Sequence, residues 1–397
     1  MKRQKQLSFI DVKIASIIPP DDPLKTLFQL INFSFIYDLI QDKYTDKGRK
    51  GYDPVSLFKA LLLIYLGYAS SERDLARKLR YDGRLSYLCG FSYGDTPNHN
   101  TFHYFRQRLG EETFSEIVTN LIAQALCLIK KENLQLSIDS SHIEAKKSDP
   151  HASWGRKSKD FSFFGYKVHL EVTDTELPIP LAMKVSPGNE WDGKFLKELT
   201  EESKKTLKDV EKRIDALIAD AGYDSTENAN YLIDNDITPV IAENPRGREN
   251  PIQRGDILLT PDGKYTCKAG FELAYWGRES KRKRFKFRCG LHKEKAKPCL
   301  FSSICWQTRY GPVFYLKEDN KIKDMMRTIR SSKSFSRLYK KRTIIERFYS
   351  ILKESHRLEN IRMRGIKNII THVCLSISAY LTRWIAGMKL KVGLLPV

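Results

Sequence analysis

The sequence predicts an α/β protein in which a mixed sheet with flanking helices follows an all-helical domain and is interrupted by a β-rich insertion. Three observations support this prediction. The first third has helical periodicity, alternating hydrophobic strands and helices follow from about residue 133, and short β-like runs containing cysteines precede a late helix. The predicted domains are therefore 1–132, 133–243 together with 321–390, and 244–320.

Composition and charge limit the classes of molecule that the protein is expected to bind. The chain is 41% hydrophobic, and its 68 Lys and Arg against 48 Asp and Glu give a net charge of +20. Such an excess favours a polyanion, with nucleic acid ahead of a membrane surface. No apolar run reaches about 18 residues, the length that spans a bilayer, and His372 and Arg383 interrupt 369–388. We therefore expect no membrane contact and a cytoplasmic, bacterial-type, nucleoid-associated protein.

The first third contains capping residues at regular intervals. Four helix starts are predicted, at Asp22–Pro23, Asp53–Pro54, Ser71–Asp74 and Asn98–Thr101. We expect Arg106 and Arg108 on the exposed face of the fourth helix. Short helices, tight turns and surface Arg favour a helix-turn-helix-like DNA-binding domain. Periodicity alone supports a plain helical bundle equally well.

The middle of the chain alternates strands and helices. The predicted strands are 134–139, 162–172, 177–185, 214–220 and 237–242, with helices at 193–207 and from 225. The first and fourth strands each end on an acid, Asp139 and Asp220. If these strands are neighbours, both carboxylates lie at one sheet edge, where sites of α/β proteins form. Taken singly, an Asp after a strand is more often a turn or helix cap.

A late segment, Tyr339 to Lys353, is predicted to be one helix with two faces. At about 100° per residue, Tyr339, Arg342, Glu346 and Lys353 lie within roughly 60° of one another. Ile and Leu residues and Phe348 form the opposite, core-facing stripe. One carboxylate therefore stands among basic and phenolic groups, although an ordinary solvated face is the simpler interpretation.

The spacing Tyr339-x2-Arg342-x3-Glu346-x6-Lys353 resembles the Y-R-E-K signature of a group of insertion-sequence DDE transposases. The phrases around Asp139 (Ile-Asp-Ser-Ser) and Asp220 (Ala-Asp-Ala-Gly-Tyr-Asp-Ser) look like the first two acidic motifs of that family. Ser140 is a slight departure, because Gly or a similar small residue is expected after the first acid. The resemblance covers about 50–385 and implies a ribonuclease-H-like catalytic domain.

The resemblance also implies a function for the matched residues. Asp139, Asp220 and Glu346 would bind two Mg²⁺ or Mn²⁺ ions, cleave DNA at the ends of a mobile element and transfer the freed strands into target DNA. Asp224 is a rival second acid that suits a helix cap better.

Tyr339, Arg342 and Lys353 would contact the phosphate backbone. The implied partner is double-stranded DNA, both the terminal inverted repeats and the target. Pairing two ends implies at least a homodimer.

The predicted insertion contains a cluster of cysteines. Cys267, Cys289, Cys299 and Cys305, with His292 as a substitute ligand, could hold a structural Zn²⁺ that compensates for a small core. Because the spacing is irregular, four reduced cysteines are nearly as plausible. The run 278–297 carries ten Lys or Arg and two Glu, and we expect it to contact DNA outside the catalytic centre.

Trp191 follows the third predicted strand, in Pro187-Gly-Asn-Glu-Trp-Asp192. An aromatic ring in a loop near the site could stack on an unpaired base during strand processing. A Trp that only packs against the protein is at least as plausible.

Two other functions remain compatible with the sequence. One is a ribonuclease-H-like nuclease that does not join strands. The other is a catalytically silent DNA-binding regulator derived from a transposase, against which the presence of all three acids argues. The transposase interpretation is the prediction that we carry forward.

Overall fold

The computed structural model describes residues 8–44, 51–156, 160–244, 257–259, 264–282, 284–291, 299–305, 311–317, 320–391 and 393. The chain forms two compact units. Unit 1 consists of Met1–Ala219 and Lys340–Val397, and unit 2 consists of Asp220–Tyr339. The division into three domains remains a prediction.

Unit 1 begins with a helical region. Its helices are α1 (Phe9–Ile17), α2 (Pro23–Leu30), α3 (Phe35–Leu39), α4 (Pro54–Tyr65), α5 (Glu72–Tyr81), α6 (Gly83–Cys89) and α7 (His99–Leu126). All four predicted starts are present, because Asp22, Asp53, Ser71 and Asn98 each accept a backbone N–H of the first turn. The sequence analysis did not predict α1.

The second half of unit 1 contains a mixed sheet. Its elements are β1 (Asn133–Glu144), β2 (Ser153–Arg156), β3 (Ser162–Thr173), β4 (Pro180–Pro187), α8 (Leu196–Lys208), β5 (Arg213–Ala219), α13 (Thr343–Ser355) and α14 (Ile366–Lys391). β1 pairs antiparallel with β3 and parallel with β5. β2 and β4 share the other edge of β3. The predicted neighbouring positions of the first and fourth strands, β1 and β5, are therefore observed.

Three details differ from the sequence predictions. β1 continues past Asp139 to Glu144, so this acid lies within the strand, and the short β2 was missed. Residues His99–Leu126, named α7 here, consist of two helical segments that meet at a kink at Gly110, where the backbone is not helical (φ 72°, ψ 169°). Tyr339 to Lys353 is not one helix, because Lys340–Arg342 form a 3-10 turn before α13 begins at Thr343.

The core of unit 1 is organised around α14, which packs against α2, α4, α7 and β4. By length and composition, α14 is the one helix among the described residues that could cross a membrane, with mean hydropathy 1.3. However, 89% of that apolar window is buried inside the protein. The apolar surface of α14 is therefore used for packing in the core.

Unit 2 has its own elements. They are α9 (Thr226–Asp234), β6 (Thr238–Ile241), β7 (Ile257–Leu259), β8 (Tyr265–Cys267), β9 (Leu273–Glu279), β10 (Arg284–Cys289), α10 (Ser302–Cys305), β11 (Val313–Lys317), α11 (Asn320–Ser331) and α12 (Lys333–Tyr339). β9, β10 and β11 form an antiparallel sheet, and β7 pairs with β8. The small core of this region consists of Leu273, Phe287, Cys289, Phe314 and Leu316, which confirms the β-rich character of the predicted insertion.

Candidate active site

Asp139 lies on β1 between two strands that pair with it differently. Towards β3, Asp139 is opposite Leu170 in the antiparallel register. Towards β5, the parallel pairing extends only to Ser137, opposite Ile218. The Asp139 side chain is 19% exposed, and its Oδ1 accepts a 2.8 Å hydrogen bond from the Ser140 amide. This carboxylate is therefore oriented by the backbone and still partly open to solvent.

The turn Lys340–Arg342 is attached to the sheet by Lys341. The Lys341 ammonium contacts Asp174 Oδ2 at 2.6 Å and Gln135 Oε1 at 2.8 Å. Gln135 is on β1, the strand that contains Asp139, and Asp174 directly follows β3, so the turn is held at one end of these two paired strands. The sequence analysis gave Lys341 no role. It was one of many basic residues in 321–342, and only the tertiary structure distinguishes it.

Arg342 lies between two of the predicted acids. Its Nη1 is 3.4 Å from Asp139 Oδ2, and its Nη2 is 2.5 Å from Glu346 Oε1. Arg342 and Glu346 are one helical turn apart, whereas Asp139 is 203 residues away from Arg342. The guanidinium thus supplies a positive charge shared by two carboxylates that would otherwise repel each other.

Glu346 stands in the first turn of α13 on the face that points away from the core. Its side chain is 50% exposed, whereas Ile345, Phe348 and Leu352 are buried on the other side of the helix. The predicted two-faced character of this segment is therefore present from Arg342 onwards.

Tyr349 joins α13 to the sheet beside Asp139. Its hydroxyl is 3.0 Å from the Asp139 carbonyl and 2.8 Å from the Val168 carbonyl. Burial, followed by the negative charge of Asp139 and Asp192, raises the pKa of Tyr349 well above its usual value. Tyr349 therefore remains a neutral hydrogen-bond donor. The sequence analysis missed it, because an aromatic residue on the core-facing side of a helix is normally a packing residue.

Asp220 is the first residue of unit 2 and directly follows β5. Its Oδ1 accepts a 2.8 Å hydrogen bond from the Gly222 amide, so it caps the short 3-10 turn Ala221–Tyr223. The side chain is partly exposed. In chain order, Asp139 and Asp220 each lie two residues after the last parallel pair of β1 and β5, Ser137 and Ile218.

The interpretation of Asp224 as a helix cap is wrong. Ser225 caps α9 by accepting the Asn228 amide. Asp224 instead contacts Arg330 Nη2 at 2.7 Å and accepts the Asn244 amide at 2.8 Å. These contacts lie within unit 2 and give Asp224 a structural role.

The donor chemistry of Asp139 and Glu346 suits a hard divalent cation, because both supply partly exposed carboxylate oxygens. Their shared countercharge is now Arg342. In the part of the chain that the structure describes, no three His, Cys, Asp or Glu side chains form a group that could hold a metal ion.

The remaining residues of the predicted signature have separate surroundings. Tyr339 ends α12 in unit 2, where its ring stacks on Phe335 at 5.6 Å between centroids. Lys353 lies on α13 of unit 1 and forms a 2.6 Å ion pair with Glu359. The predicted arc that includes Tyr339 is therefore wrong, because a 3-10 turn separates the two helices.

Trp191 is on a loop that Lys167 holds in place. The Lys167 ammonium contacts the Glu190 carbonyl at 2.9 Å and Asp192 Oδ1 at 2.8 Å. The Trp191 side chain is 54% exposed. A Cβ atom at Gly193 would lie 2.3 Å from the Trp191 ring, so this glycine permits their close approach. The ring is thus presented to solvent on an ordered loop, and its role in base stacking remains a prediction.

The predicted cysteine cluster lies in unit 2. Cys289 is buried, Cys267 and Cys299 are half-buried, and Cys305 is exposed. Burial raises the pKa of the Cys289 thiol, and the three other thiols raise it further, against a hydrogen bond with the Leu291 backbone. These four described cysteines do not form a group that could hold a metal ion. His292 lies outside the described residues, so a zinc site remains a prediction.

Part of the basic run 278–297 is described, and several of its members have partners in the small sheet. Arg284 forms a 2.6 Å ion pair with Glu279 and lies over the Tyr315 ring. Arg288 lies over the Trp276 ring at 4.1 Å. These cations are oriented by ring and carboxylate contacts, and DNA contact by the run remains a prediction.

Two family models match the chain. The model described as "Transposase DDE domain" matches residues 131–382, and "Transposase domain (DUF772)" matches residues 12–108. The first match contains Asp139, Asp220 and Glu346. No curated protein matches the chain.

Two solved structures show distant similarity. The Mos1 transposase paired-end complex with left transposon end is 11% identical over 49% of this chain and 61% of that chain, with a TM-score of 0.19. The Drosophila P element transposase strand transfer complex is 10% identical over 92% of this chain and 88% of that chain, with a TM-score of 0.26. The present chain thus spans about three-fifths of the Mos1 chain.

The predicted fold class is confirmed by the mixed sheet, the helical N-terminal region and the matched family, and it is consistent with a ribonuclease-H-like fold. DDE transposases generally depend on a divalent metal. Because the DDE model matches residues 131–382, which is more than half of the sequence, the chain belongs to the DDE transposase family.

Proposed function

We propose that Asp139, Asp220 and Glu346 are the three catalytic acids of this transposase. The observation that carries the proposal is the position of Arg342 between Asp139 and Glu346. Two acids predicted from separate motifs share one cation, although they are far apart in the sequence. Asp220 is assigned as the third acid because it follows β5, the parallel neighbour of β1, at the position that corresponds to Asp139.

The three acids would hold two Mg²⁺ or Mn²⁺ ions. When bound, such ions would activate a water or a 3′-hydroxyl as the nucleophile and would stabilise the leaving oxygen of an in-line phosphodiester displacement. Asp139 and Glu346 offer the charged oxygens that such ions require. Arg342 must give up part of its contact with these oxygens, and a DNA phosphate is a suitable new partner for its planar guanidinium.

The remaining residues of the signature are proposed to bind the DNA backbone. Arg342, Lys353 and Tyr339 are the proposed phosphate ligands, and Trp191 is a proposed stacking partner for an unpaired base. Lys353 is paired with Glu359, so on DNA binding it would exchange the Glu359 carboxylate for a phosphate. The net charge of +20 favours such an exchange at low salt.

The proposed substrates are the terminal inverted repeats of a mobile element and a target duplex. We propose residues 1–132 as the DNA-binding domain, a homodimer on paired ends, and a cytoplasmic, nucleoid-associated location. The described cysteines 267, 289, 299 and 305 form no metal-binding group by themselves, so the proposed structural Zn²⁺ site requires His292 as a further ligand. Metal analysis of the purified protein tests that site. Protein that contains much less than one zinc ion per chain would contradict it.

The decisive experiment measures cleavage and joining separately. The full-length protein is incubated with Mg²⁺ and a duplex that carries the DNA flanking its gene, and also with a pre-cut end and a target plasmid. We expect both hydrolysis and strand transfer, and both should disappear in Asp220→Asn and Glu346→Gln. Glu198→Gln is the matched control, because this exposed acid of α8 pairs with Lys184 of β4 in the described structure.

The same experiment separates the alternative functions. Cleavage without joining would identify a nuclease. DNA binding without either reaction would identify a silent regulator. Full activity in Asp220→Asn would remove that residue from the proposed site.

A further inference from the structure

The first half of α7 has two chemically different faces. On one face, Phe102, Phe105 and Leu109 are buried in the helical region. On the other face, the side chains at positions 100, 103, 104, 107 and 108 are exposed. These positions follow the three- and four-residue spacing of one helix face. The exposed face is therefore continuous over about two and a half turns.

The exposed face carries side-chain types that can pair with the edges of DNA bases. Its members are Asn100, His103, Tyr104, Gln107 and Arg108. Asn and Gln pair with adenine through two hydrogen bonds, and Arg pairs with guanine in the same way. No acidic residue occurs from Asn98 to Gly110. Tyr104 is 63% exposed, so its ring and hydroxyl are open to solvent.

Gly110 ends the straight part of this helix. Its positive φ of 72° breaks the helical geometry, and the residues after it, such as Phe114 and Ile117, are buried in the core of unit 1. The segment His99–Leu109 is roughly 16 Å long at about 1.5 Å per residue. An α-helix about 10–12 Å in diameter fits a major groove roughly 12 Å wide.

The neighbouring helix α5 supplies positive charge. Arg73, Arg77 and Arg80 are all exposed and are spaced by four and three residues, so they share one face of α5. α5 packs against α7. The buried Arg106, which the sequence analysis expected to be exposed, forms a 2.8 Å ion pair with Glu72 at the start of α5. This contact fixes the two helices to each other.

A cleft of about 420 Å³ lies where α5 and α7 begin. Arg73, His99, Arg357 and Arg362 are among the residues that line it. Both helix N-termini add partial positive charge at the same place. The one acid in the lining, Glu72, is already neutralised by Arg106. A phosphate group of a DNA backbone has the charge and the acceptor oxygens that this cleft suits.

We propose that the face of α7 from Asn100 to Arg108 enters the major groove of double-stranded DNA and reads base edges, while Arg73, Arg77 and the adjoining cleft contact the backbone phosphates. This inference rests on the proposed function only for the identity of the duplex, a terminal repeat. It deepens that function by assigning the residues that select the sequence. Asn100 and Gln107 determine the sequence preference, and the α5 arginines determine the position of the helix on the duplex.

The test separates the contribution of the α7 residues that contact bases from that of the α5 arginines that contact phosphates. The full-length protein selects duplexes from a randomised double-stranded pool, and affinities are then measured for selected and scrambled duplexes across a salt series. Asn100→Ala and Gln107→Ala should each reduce the ratio of selected to scrambled affinity at least about fivefold. Arg73→Ala should weaken both duplexes equally and lower the salt slope by about 1.

Matched controls come from the same unit. Asn120→Ala changes a residue of the second half of α7 whose side chain bonds only locally, to the Glu116 carbonyl. Arg213→Ala changes an exposed residue at the start of β5. Neither should alter the affinity ratio or the salt slope. Unchanged circular dichroism melting separates loss of reading from loss of folding.

The outcomes distinguish this inference from the proposed function. If Asn100→Ala and Gln107→Ala still discriminate fully between selected and scrambled duplexes, the assignment of α7 as the reading helix is wrong, even if the protein cleaves DNA. If the variants lose discrimination while the wild-type protein neither cleaves nor joins DNA, the reading helix holds and the proposed catalysis is wrong. If the wild-type protein selects no sequence at all, the inference fails.

Discussion

Two carboxylates on neighbouring strands of the unit 1 sheet have opposite surroundings. Asp139 on β1 is opposite Leu170, and Glu171, the next residue on β3, is opposite Ile138. Adjacent residues of a strand point to opposite faces, so these acids lie on different sides of the sheet. Asp139 is partly exposed beside Arg342. Glu171 is fully buried and accepts hydrogen bonds from two hydroxyl groups of α8.

The difference separates a structural acid, Glu171, from the proposed catalytic acid, Asp139, on the same sheet. Burial raises the pKa of Glu171 to about 7, against the hydrogen bonds of Ser203 and Thr200. A buried acid that is satisfied by hydroxyl groups has no need of a cation. A charged acid beside an exchangeable arginine can take a metal ion in its place. The type of partner, rather than the presence of a carboxylate, therefore supports Asp139 as the proposed catalytic acid.

The strongest test of this comparison exchanges each acid for its amide. Asp139→Asn should lower cleavage and strand transfer by roughly a thousandfold or more, because a catalytic acid is lost. Glu171→Gln should leave the rates within a few fold at pH 7. Rates are measured with saturating Mg²⁺ on flanking DNA. Equal losses in the two variants would contradict the assignment of different roles.

The second test uses the pH dependence of stability. The folded pKa of Glu171, about 7, is above its usual value of 4.5, so the folded state binds the extra proton between these values. Stability from this group is therefore present below pH 4.5 and is lost as the pH rises through 7. At pH 8.5 the free energy of unfolding of Glu171→Gln should exceed that of the wild type by about 2 to 3 kcal/mol. The difference should vanish near pH 4.5.

Urea unfolding at both pH values measures this difference. Glu198→Gln, an exposed acid on α8, is the control and should show no such gain. A wild-type stability that does not fall between pH 5 and 8 would show that Glu171 is charged in the folded state.

The third test concerns the exchangeable cation. Arg342→Ala removes a charge that competes with metal at Asp139 and Glu346, so Mn²⁺ should bind more tightly to the protein without DNA. Strand transfer should nevertheless fall about tenfold, because a charge-assisted contact to phosphate is lost. Arg347→Ala is the matched control, since its guanidinium contacts only the nearby Thr343 hydroxyl in the described structure. Weaker Mn²⁺ binding in Arg342→Ala would contradict the competition.

The smallest expected effect concerns Tyr349. Removing its buried hydroxyl in Tyr349→Phe should lower the free energy of unfolding by about 1 kcal/mol, because the contacts to the Asp139 and Val168 carbonyls are lost. Urea unfolding measures it, and Tyr81→Phe, a 72% exposed tyrosine, is the control. No change in Tyr349→Phe would show that packing alone holds α13 on the sheet.

The element order and the positions of the predicted acids were accessible from the sequence because they depend on local patterns. Alternating apolar residues predicted β1 and β5, and fixed spacing predicted Glu346 beside Arg342. The end of β1 was not accessible. Beyond Ser137 the strand loses its β5 neighbour, and the polar residues Ser140, Ser141 and His142 conceal the strand pattern there.

Contacts between distant segments explain the other errors. Arg106 is buried because Glu72, from another helix, neutralises it. Tyr349 is indistinguishable from a packing residue until β1 and β3 place two carbonyls at its hydroxyl. The break between Tyr339 and Thr343 has no glycine or proline to mark it. For Arg106 and Tyr349 the deciding partner is remote in the chain, so a local sequence pattern cannot reveal it.

The kink at Gly110 has a consequence for how such a protein can change. A continuous straight helix would tie every surface position of α7 to the packing of its far end. With the backbone turned at Gly110, residues 99–109 and 111–126 are subject to separate constraints. If residues 100–108 read DNA as proposed, the outer segment can acquire a new target preference by substitution while the inner segment keeps the hydrophobic core intact. Exchange of residues 100–108 between relatives is then expected to change the target sequence without loss of stability.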